Sequence, residues 1–533
     1  MGPACEELAR VQLPPMTDEE MANMGSTSGD TVDMEVEGVP SIPMDIDEAA
    51  GPSSGGSRQA SSEPGTSMQA HRLSSPMARS TDPSPFQSHL NTPIISRSPS
   101  VNRDDWYPLE KSETRSFSIL YIPDPSRAVS RREADTDLAW ATREITHGQF
   151  EAIKYLTGFV YKQRETKTGV KVRVTEWLWV ILQMDDYNKG EAFRIHYMPW
   201  DKFRDIILDP RANHPAWNEL AKNDCIIGGI DYSIDYRSVD NCYGLDKDRL
   251  ARYEHHMKLL ASMTQFWPPI EQIRLAGRKW PTTCHLRMIA QIKENYYPLT
   301  THLEDGADIP EGTVLKRSNS DCGKHVIFPS AAAKYRTWHH LRSCINDDEI
   351  WMAQEYVESL VTIGEWRVFV IGGRIMSVVH TQKRSDGLWT GEQTSAYMTC
   401  EEIQELIQSQ EPPISPGELK KRIINPQHGT VVLREQGKTQ FRNFVLDTWR
   451  NLVLRETRQW GAKSSLAVFC RMDIGLGFPP EGPPRYFVNE VERTPTTSLW
   501  FSCNPGNSMG TMADTFCMVF RQWIKDIRNP YVL

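Results

Sequence analysis

The sequence predicts an α+β protein preceded by an unstructured tail, and three observations predict it. Runs of strand length, rich in β-branched and aromatic residues, recur between Ser116 and Glu492. Helical periods separate some of them. The clearest is Phe441–Trp460, with apolar residues at 441, 444, 445, 448/449, 452/453 and 460, ended by Gly461. Residues 1–104 show neither pattern: Ser, Pro, Gly, Met and acids dominate, so too little apolar surface is available to offset ordering entropy. Its Ser-Pro steps at Ser75, Ser84 and Ser98 could accept phosphate.

Charge and cysteine usage narrow the class. The first 100 residues hold 14 Asp/Glu against 5 Arg, and the other 433 balance at 55 of each sign. No basic patch of the nucleic-acid kind stands out. Ten scattered cysteines without a CxxC pair suggest free thiols in a reducing compartment. The nearest zinc-like grouping, His339, His340 and Cys344, reads as one ordinary helix. No apolar run approaches a membrane span, and MGPACEEL has neither a signal core nor a myristoylation pattern. The expectation is a soluble cytoplasmic protein, acting on no nucleic acid and no membrane, of open oligomeric state.

In chain order, residues 105–280 suggest an α/β or α+β domain. They carry strand-like runs at Ser116–Tyr121, Val172–Leu182 and Ala192–Met198, then a helical period at Arg249–Met263. Order begins near Trp106, ahead of the other tryptophans. From 281 the pattern sharpens. Cys284–Asn295 predicts a helix, and GTVLKRSNSDCGKHVIFP predicts two strands around a polar turn from Ser318 to Gly323. A lysine ending a strand before such a turn, here Lys316, can hold phosphates beside the turn's N–H groups, though most strand-end lysines are simply solvated. Ser330–Cys344 predicts a helix, and IWMAQEYVESL a strand through Gln354, Glu355, Tyr356 and Val357. GEWRVFVIGGRIMSVVHTQ predicts a hairpin turning at Gly372-Gly373, with Glu365 and Arg367 on one face. Gly510–Arg528 predicts a closing helix.

The most unusual stretch is LAVFCRMDIGLGFPPEGPPRYFVNEVERTPT, which reads as a strand pair carrying acids. Asp473 is expected to end the first strand. Glu490 and Glu492, two apart in the second, are expected to share the face of Tyr486 and Val488. Carboxylates side by side call for a cation between them. Either a hard divalent metal sits there, or the face is solvated with Arg471 and Arg493 as ion-pair partners.

Taken together, TVLKRSNSDCGKHV, MAQEYV, G-E-W-R, the long helix, CRMDIG and FVNEVERTP resemble the ATP-grasp superfamily of D-alanine–D-alanine ligase and glutathione synthetase, over about residues 281–530. The resemblance implies two α+β subdomains, 281–362 and 363–533, clasping ATP and Mg²⁺. It implies that Lys316 contacts phosphates, that the turn with Ser318, Ser320 and Gly323 covers them, and that Gln354, Glu355 and Val357 border adenine. Glu365 would reach ribose, and Asp473, Glu490 and Glu492 would bind the metal. Arg471 would stand at the transferred group, and Arg287 near a second phosphate lysine. The implied activity is ATP-dependent ligation, a carboxylate becoming an acyl phosphate for attack by an amine or other nucleophile. The chain departs from the pattern at Glu492, where Asn is usual, at the single Gly323 of the turn, and at Thr494-Pro495-Thr496. Some ATP-grasp proteins, such as the cell-division-cycle assembly chaperones for translation initiation factor 2, bind ATP–Mg²⁺ while acting on a protein partner. A non-catalytic assembly protein is therefore the alternative.

Other chemistries fit less well. No H-R-D or G-x-G-x-x-G accompanies VLK as a kinase needs, and no G-x-x-x-x-G-K-[ST] occurs. Gly506-Asn-Ser-Met-Gly510 matches G-x-S-x-G, but Pro505 interrupts any preceding strand and no histidine follows; a helix cap at Ser508 fits better.

Overall fold

The computed structural model describes residues 116–533 apart from 138, 210–214, 230–241, 278, 305–306, 319–325, 333–336, 340–349, 384–388, 462, 504–506 and 529–533. The tail 1–104, Ser320, Gly323, His340 and Cys344 therefore lie outside the described residues.

The first seven strands are β1 (Phe117–Ile122), β2 (Trp140–Ile145), β3 (Val160–Glu165), β4 (Val170–Thr175), β5 (Phe193–Tyr197), β6 (Cys225–Gly228) and β7 (Gln265–Trp267). They form a parallel sheet in the order β5-β1-β6-β7 and an antiparallel one in the order β2-β4-β3. The parallel strands are apolar on both faces, as Ile119, Leu120, Ile226 and Ile227 show by their burial. One face packs on helix α1 (Glu176–Asp186), and the other on a core built around Phe203, Trp217 and Tyr253. Here the structure corrects the sequence: Val172–Leu182 is the end of β4 followed by α1, not one strand. The helix buries Trp177 through Leu182 all round, so it shows no polar stripe and mimics an apolar strand.

Helix α2 (Lys279–Ile292) starts five residues before the predicted Cys284. It leads to β8 (Thr300–His302), β9 (Thr313–Arg317), β10 (Val326–Ile327) and β11 (Trp351–Glu355), an antiparallel sheet in the order β10-β9-β11-β8. Leu315, Ala353, Trp338 and Trp351 form its own small core. Of the helix predicted at Ser330–Cys344, a turn at Pro329–Ala332 is described as helix, and most of the rest lies outside the described residues.

The third mixed region holds β12 (Glu365–Ile371), β13 (Arg374–Lys383), β14 (Trp389–Gln393), β15 (Phe469–Gly477) and β16 (Arg485–Glu492), ordered β14-β13-β12-β15-β16 and antiparallel. Gly372 and Gly373, at φ 56° and 76°, make the two-residue turn between β12 and β13 that the sequence predicts. One face, with Trp366, Val368, Met472 and Ile474, packs on helix α3 (Val431–Trp460). That helix begins ten residues before the predicted Phe441 and ends at Gly461 in the left-handed conformation. Helix α4 (Asn507–Arg528) carries Phe516, Phe520 and Trp523 into the core shared with α1.

The end of β16 is pinned to α3 by a buried ion pair. Arg493 donates from Nη1 to Glu456 Oε2 at 2.8 Å and from Nη2 to Oε1 at 2.5 Å, with each side chain 1% exposed. Arg493 is thus paired beneath the sheet and not on its acidic face. Removing one partner leaves the other charge buried. Arg493→Leu is expected to lower stability by about 3–5 kcal/mol in urea unfolding, and the double variant Glu456→Leu/Arg493→Leu to recover most of that loss.

Candidate functional site

The acidic strand pair continues past Asp473 to Gly477, because Ile474, Leu476 and the small Gly475 extend the buried run. Asp473 therefore lies mid-strand, not at the strand's end. The register of β15 on β16 shifts between Asp473 and Ile474: Ile474 faces Val488, whereas Asp473 faces Glu490. Asn489 is the extra residue. Cross-strand partners share a face, so this bulge turns Glu490 and Glu492 away from the Tyr486–Val488 face, opposite to the sequence expectation. They join Asp473 and Arg471, and β12 adds Glu365 and Arg367, since Arg367 pairs with Asp473.

On the other sheet Lys316 pairs with Met352 and Val314 with Gln354, which places Lys316 and Gln354 on one face, diagonal to each other. That face meets the acidic one. Lys316 Nζ donates to Gln354 Oε1 at 2.6 Å and to Asn489 Oδ1 at 3.0 Å. Asn489 Nδ2 donates in turn to Glu365 Oε1 at 2.6 Å, and Gln354 Nε2 to Thr300 Oγ1 at 3.0 Å. A polar chain thus runs from β8 and β11 through Lys316 to β12. Ser318 is buried at the end of β9 and accepts, through its carbonyl, from Lys279 N at 3.3 Å.

Three of the four carboxylates have a cation beside them, and Glu365 has the Asn489 amide. Arg471 grips Asp473 with two parallel bonds, Nε to Oδ1 and Nη2 to Oδ2, both 2.8 Å, and its Nη2 stands 3.7 Å from Glu492. Lys279 Nζ lies 2.5 Å from Glu490 Oε1. Burial pushes Lys316 down from the usual lysine value to about 8. Burial, and then Asp473, push Glu365 up. For Glu490 burial acts upward, but Lys279 and then Arg471 and Lys316 outweigh it and hold the carboxyl down to about 2.

Lys316, Ser318, Gln354, Glu365, Arg471, Asp473, Glu490 and Glu492 therefore gather where the faces of the two sheets meet. Val357 is buried just beyond β11, and Glu355 is exposed, accepting from Leu299 N at 3.1 Å. Arg287 is exposed on α2, while Lys279 at the start of that helix enters the cluster. Lys279 and Asn489 escaped the sequence analysis. The signal for Asn489 was a lone amide in the apolar run RYFVNEVE, and for Lys279 a cation just before Pro281 at a helix start.

The donor set bears on magnesium. Among the described residues no group of three His, Cys, Asp or Glu is placed to hold an ion, so a three-carboxylate cage including Glu492 is not formed. Mg²⁺ needs only one or two carboxylates beside substrate phosphates, and the register pair Asp473/Glu490 meets that requirement. A separate cleft of about 560 Å³, lined by Arg143, Trp179, Gln183 and Asp514 among others, shares no residue with this cluster. Among the described residues no helix is long and apolar enough to cross a membrane.

No protein-family model and no curated protein matches this sequence. Several solved structures are similar. One is D-cycloserine synthetase, 14% identical over 76% of this chain and 99% of that one, TM-score 0.39. Another is D-alanine–D-alanine ligase from Bacillus anthracis complexed with ATP, 11% identical over 78% and 99%, TM-score 0.38. A third is a RimK-domain ATP-grasp protein from Sphaerobacter thermophilus, 14% identical over 64% and 94%, TM-score 0.34. These neighbours have the ATP-grasp fold that the sequence resembles. At identities and TM-scores this low, the likeness assigns neither substrate nor reaction to this chain.

The Asn489 bridge has a measurable worth. Asn489→Leu takes an acceptor from a half-buried ammonium and a donor from a half-buried carboxylate, so urea unfolding at pH 7 is expected to show a loss of about 1–2 kcal/mol. A loss within a few tenths would mean that the bridge is not formed.

Proposed function

We propose that the gap between the two sheets binds ATP with Mg²⁺ and that the chain is a ligase of ATP-grasp type. The observation that carries this is the meeting of Lys316, from β9, with the carboxylate-bearing face of β12, β15 and β16. Lys316 is a half-buried cation hydrogen-bonded only to neutral amide oxygens among the described residues. An anion in the gap would relieve it. The surrounding groups, Lys279, Lys316, Arg367 and Arg471 against Glu365, Asp473, Glu490 and Glu492, cancel in formal charge. Magnesium halves the charge that the triphosphate brings to such a set, so the magnesium complex unbalances it less than the bare triphosphate does.

In this reading Lys316 and Lys279 hold phosphate oxygens, and Gln354 fixes Lys316 from behind. Asp473 and Glu490 would hold magnesium, which would neutralise charge on the phosphates when bound. A substrate carboxylate oxygen attacks the terminal phosphorus, and the bond from that phosphorus to the ADP oxygen breaks. An amine or other nucleophile then attacks the acyl carbon; the carbon–oxygen bond to phosphate breaks, phosphate leaves, and the nucleophile gives up its proton. No side chain forms a covalent bond. Exclusion of water by bound substrate would strengthen every charge interaction on the way.

Calorimetric titration with MgATP tests the binding. Wild type is expected to bind, and Lys316→Ala to bind at least tenfold more weakly, since a charge-assisted contact to a buried phosphate is worth about 1.5–3 kcal/mol. Equal isotherms would remove the nucleotide reading. Release of ADP and phosphate on adding carboxylates and amines separates the ligase from the non-catalytic assembly protein.

The same lysine predicts a pH dependence. Folding disfavours its protonated form, so the penalty is full below about 8 and gone above the unfolded value of 10.5. Nucleotide needs the protonated form. MgATP affinity is therefore expected to fall as pH rises through about 8 in wild type, and to stay flat there in Lys316→Arg, whose guanidinium keeps its charge. A wild-type affinity unchanged between pH 7 and 9 would contradict this.

A further inference from the structure

Two arginines stand on the acidic face, and their surroundings differ. Arg471 is 6% exposed and engaged: Nε and Nη2 hold Asp473, and Nη1 reaches the Ser498 carbonyl at 3.4 Å. Arg367, 13% exposed, makes one hydrogen bond among the described residues, from Nε to Thr381 Oγ1 at 3.1 Å. Its Nη1 stands 3.8 Å from Asp473 Oδ2, beyond hydrogen-bond reach. A guanidinium carries five N–H groups, so four are left for an acceptor that the described residues do not provide.

The guanidinium is nevertheless fixed in place. Its carbon lies 5.1 Å from the ring centroids of both Trp389 and Trp500. Trp500 has φ 54°, a backbone conformation that costs a bulky residue energy and persists only where surroundings impose it. The surroundings are visible. Leu499 N and Phe501 N, on either side, each donate at 2.6 Å to the buried carboxylate of Glu176, at the start of α1. Trp177 Nε1 donates to the Thr497 carbonyl at 2.8 Å. Gly391 supports the same ring: a Cβ there would lie 2.6 Å from Cys503 Sγ and 2.9 Å from Trp500. A strained tryptophan is held from the far half of the chain so that one arginine keeps its place.

Position completes the case. The polar chain runs from Gln354 through Lys316 and Asn489 to Glu365, and Arg367 follows Glu365 two residues along the same face. Phosphates that begin at Lys316 and follow this chain end at Arg367. We infer that Arg367, clamped between Trp389 and Trp500, is the arginine that binds the terminal phosphate of the nucleotide, while Arg471 is a positioning residue for Asp473. This rests on the nucleotide reading above and replaces the role that the sequence resemblance gave to Arg471.

The test compares MgADP with the magnesium complex of the β,γ-imido analogue of ATP, by calorimetry, on the full chain. The readout is the ratio of the two dissociation constants, which isolates the terminal phosphate. Wild type is expected to bind the imido analogue more tightly. In Arg367→Met that preference is expected to shrink about tenfold or more, with MgADP affinity held within about twofold. Arg367→Lys, which keeps the charge without the planar fork, is expected to fall between and serves if the methionine variant does not fold. A wild-type ratio retained in both Arg367 variants overturns the inference alone, as does a wild type indifferent to the terminal phosphate. Wild type binding neither nucleotide overturns the nucleotide reading and this inference together.

Discussion

A half-buried lysine held by two neutral amides is the constraint on which the site depends. Gln354 and Asn489 give Lys316 oxygens but no charge, and burial, only partly offset by Glu490 and Glu365, pushes it down to about 8. Proteins avoid such a group unless something compensates it. The amides come from different sheets, so the same lysine also ties β9 and β11 to the bulge in β16. The contact between the two sheets and the proposed binding thus involve the same ammonium.

The bulge at Asn489 is the second determinant. With regular alternation, Glu490 and Glu492 would point with Val488 into the core against α3, where two carboxylates have no partners. One extra residue reverses the alternation and sets them beside Asp473. It also presents the Asn489 amide to Lys316 and Glu365 at once. The apolar half of each strand keeps its role in the α3 core, and the polar half faces the gap. On the outer side of that gap, the segment after β16 is bound to α1 through Glu176, whose carboxyl is pushed up to about 7 by burial even though it accepts two backbone N–H groups. Helix α1 of the N-terminal region therefore holds the segment that carries Trp500.

Much of this was legible in the sequence. Asp473 and Glu490 were visible because acids inside otherwise apolar strands need a reason, Lys316 because it ends a strand before a small polar turn, and the hairpin turn because paired glycines permit the required φ values; the role of Glu365 came from the resemblance. The face of Glu490 was not visible, since a bulge is set by cross-strand register and leaves no mark in one strand's alternation. Helix α1 was read as strand because EWLWVILQM is buried on all sides. Arg287 came from the resemblance alone, and Lys279 was passed over because α2 starts five residues before the predicted Cys284. Arg367 was seen on the right face, but its two tryptophans come from segments 22 and 133 residues away in sequence, a distance that no local pattern spans.

Hydrogen–deuterium exchange with and without MgATP tests the central claim most directly. If the nucleotide lies between the sheets, added MgATP will slow exchange together in peptides covering 313–318, 351–357, 469–477 and 485–492. Protection confined to one sheet, or appearing instead around Trp179 and Asp514 at the separate cleft, would contradict it.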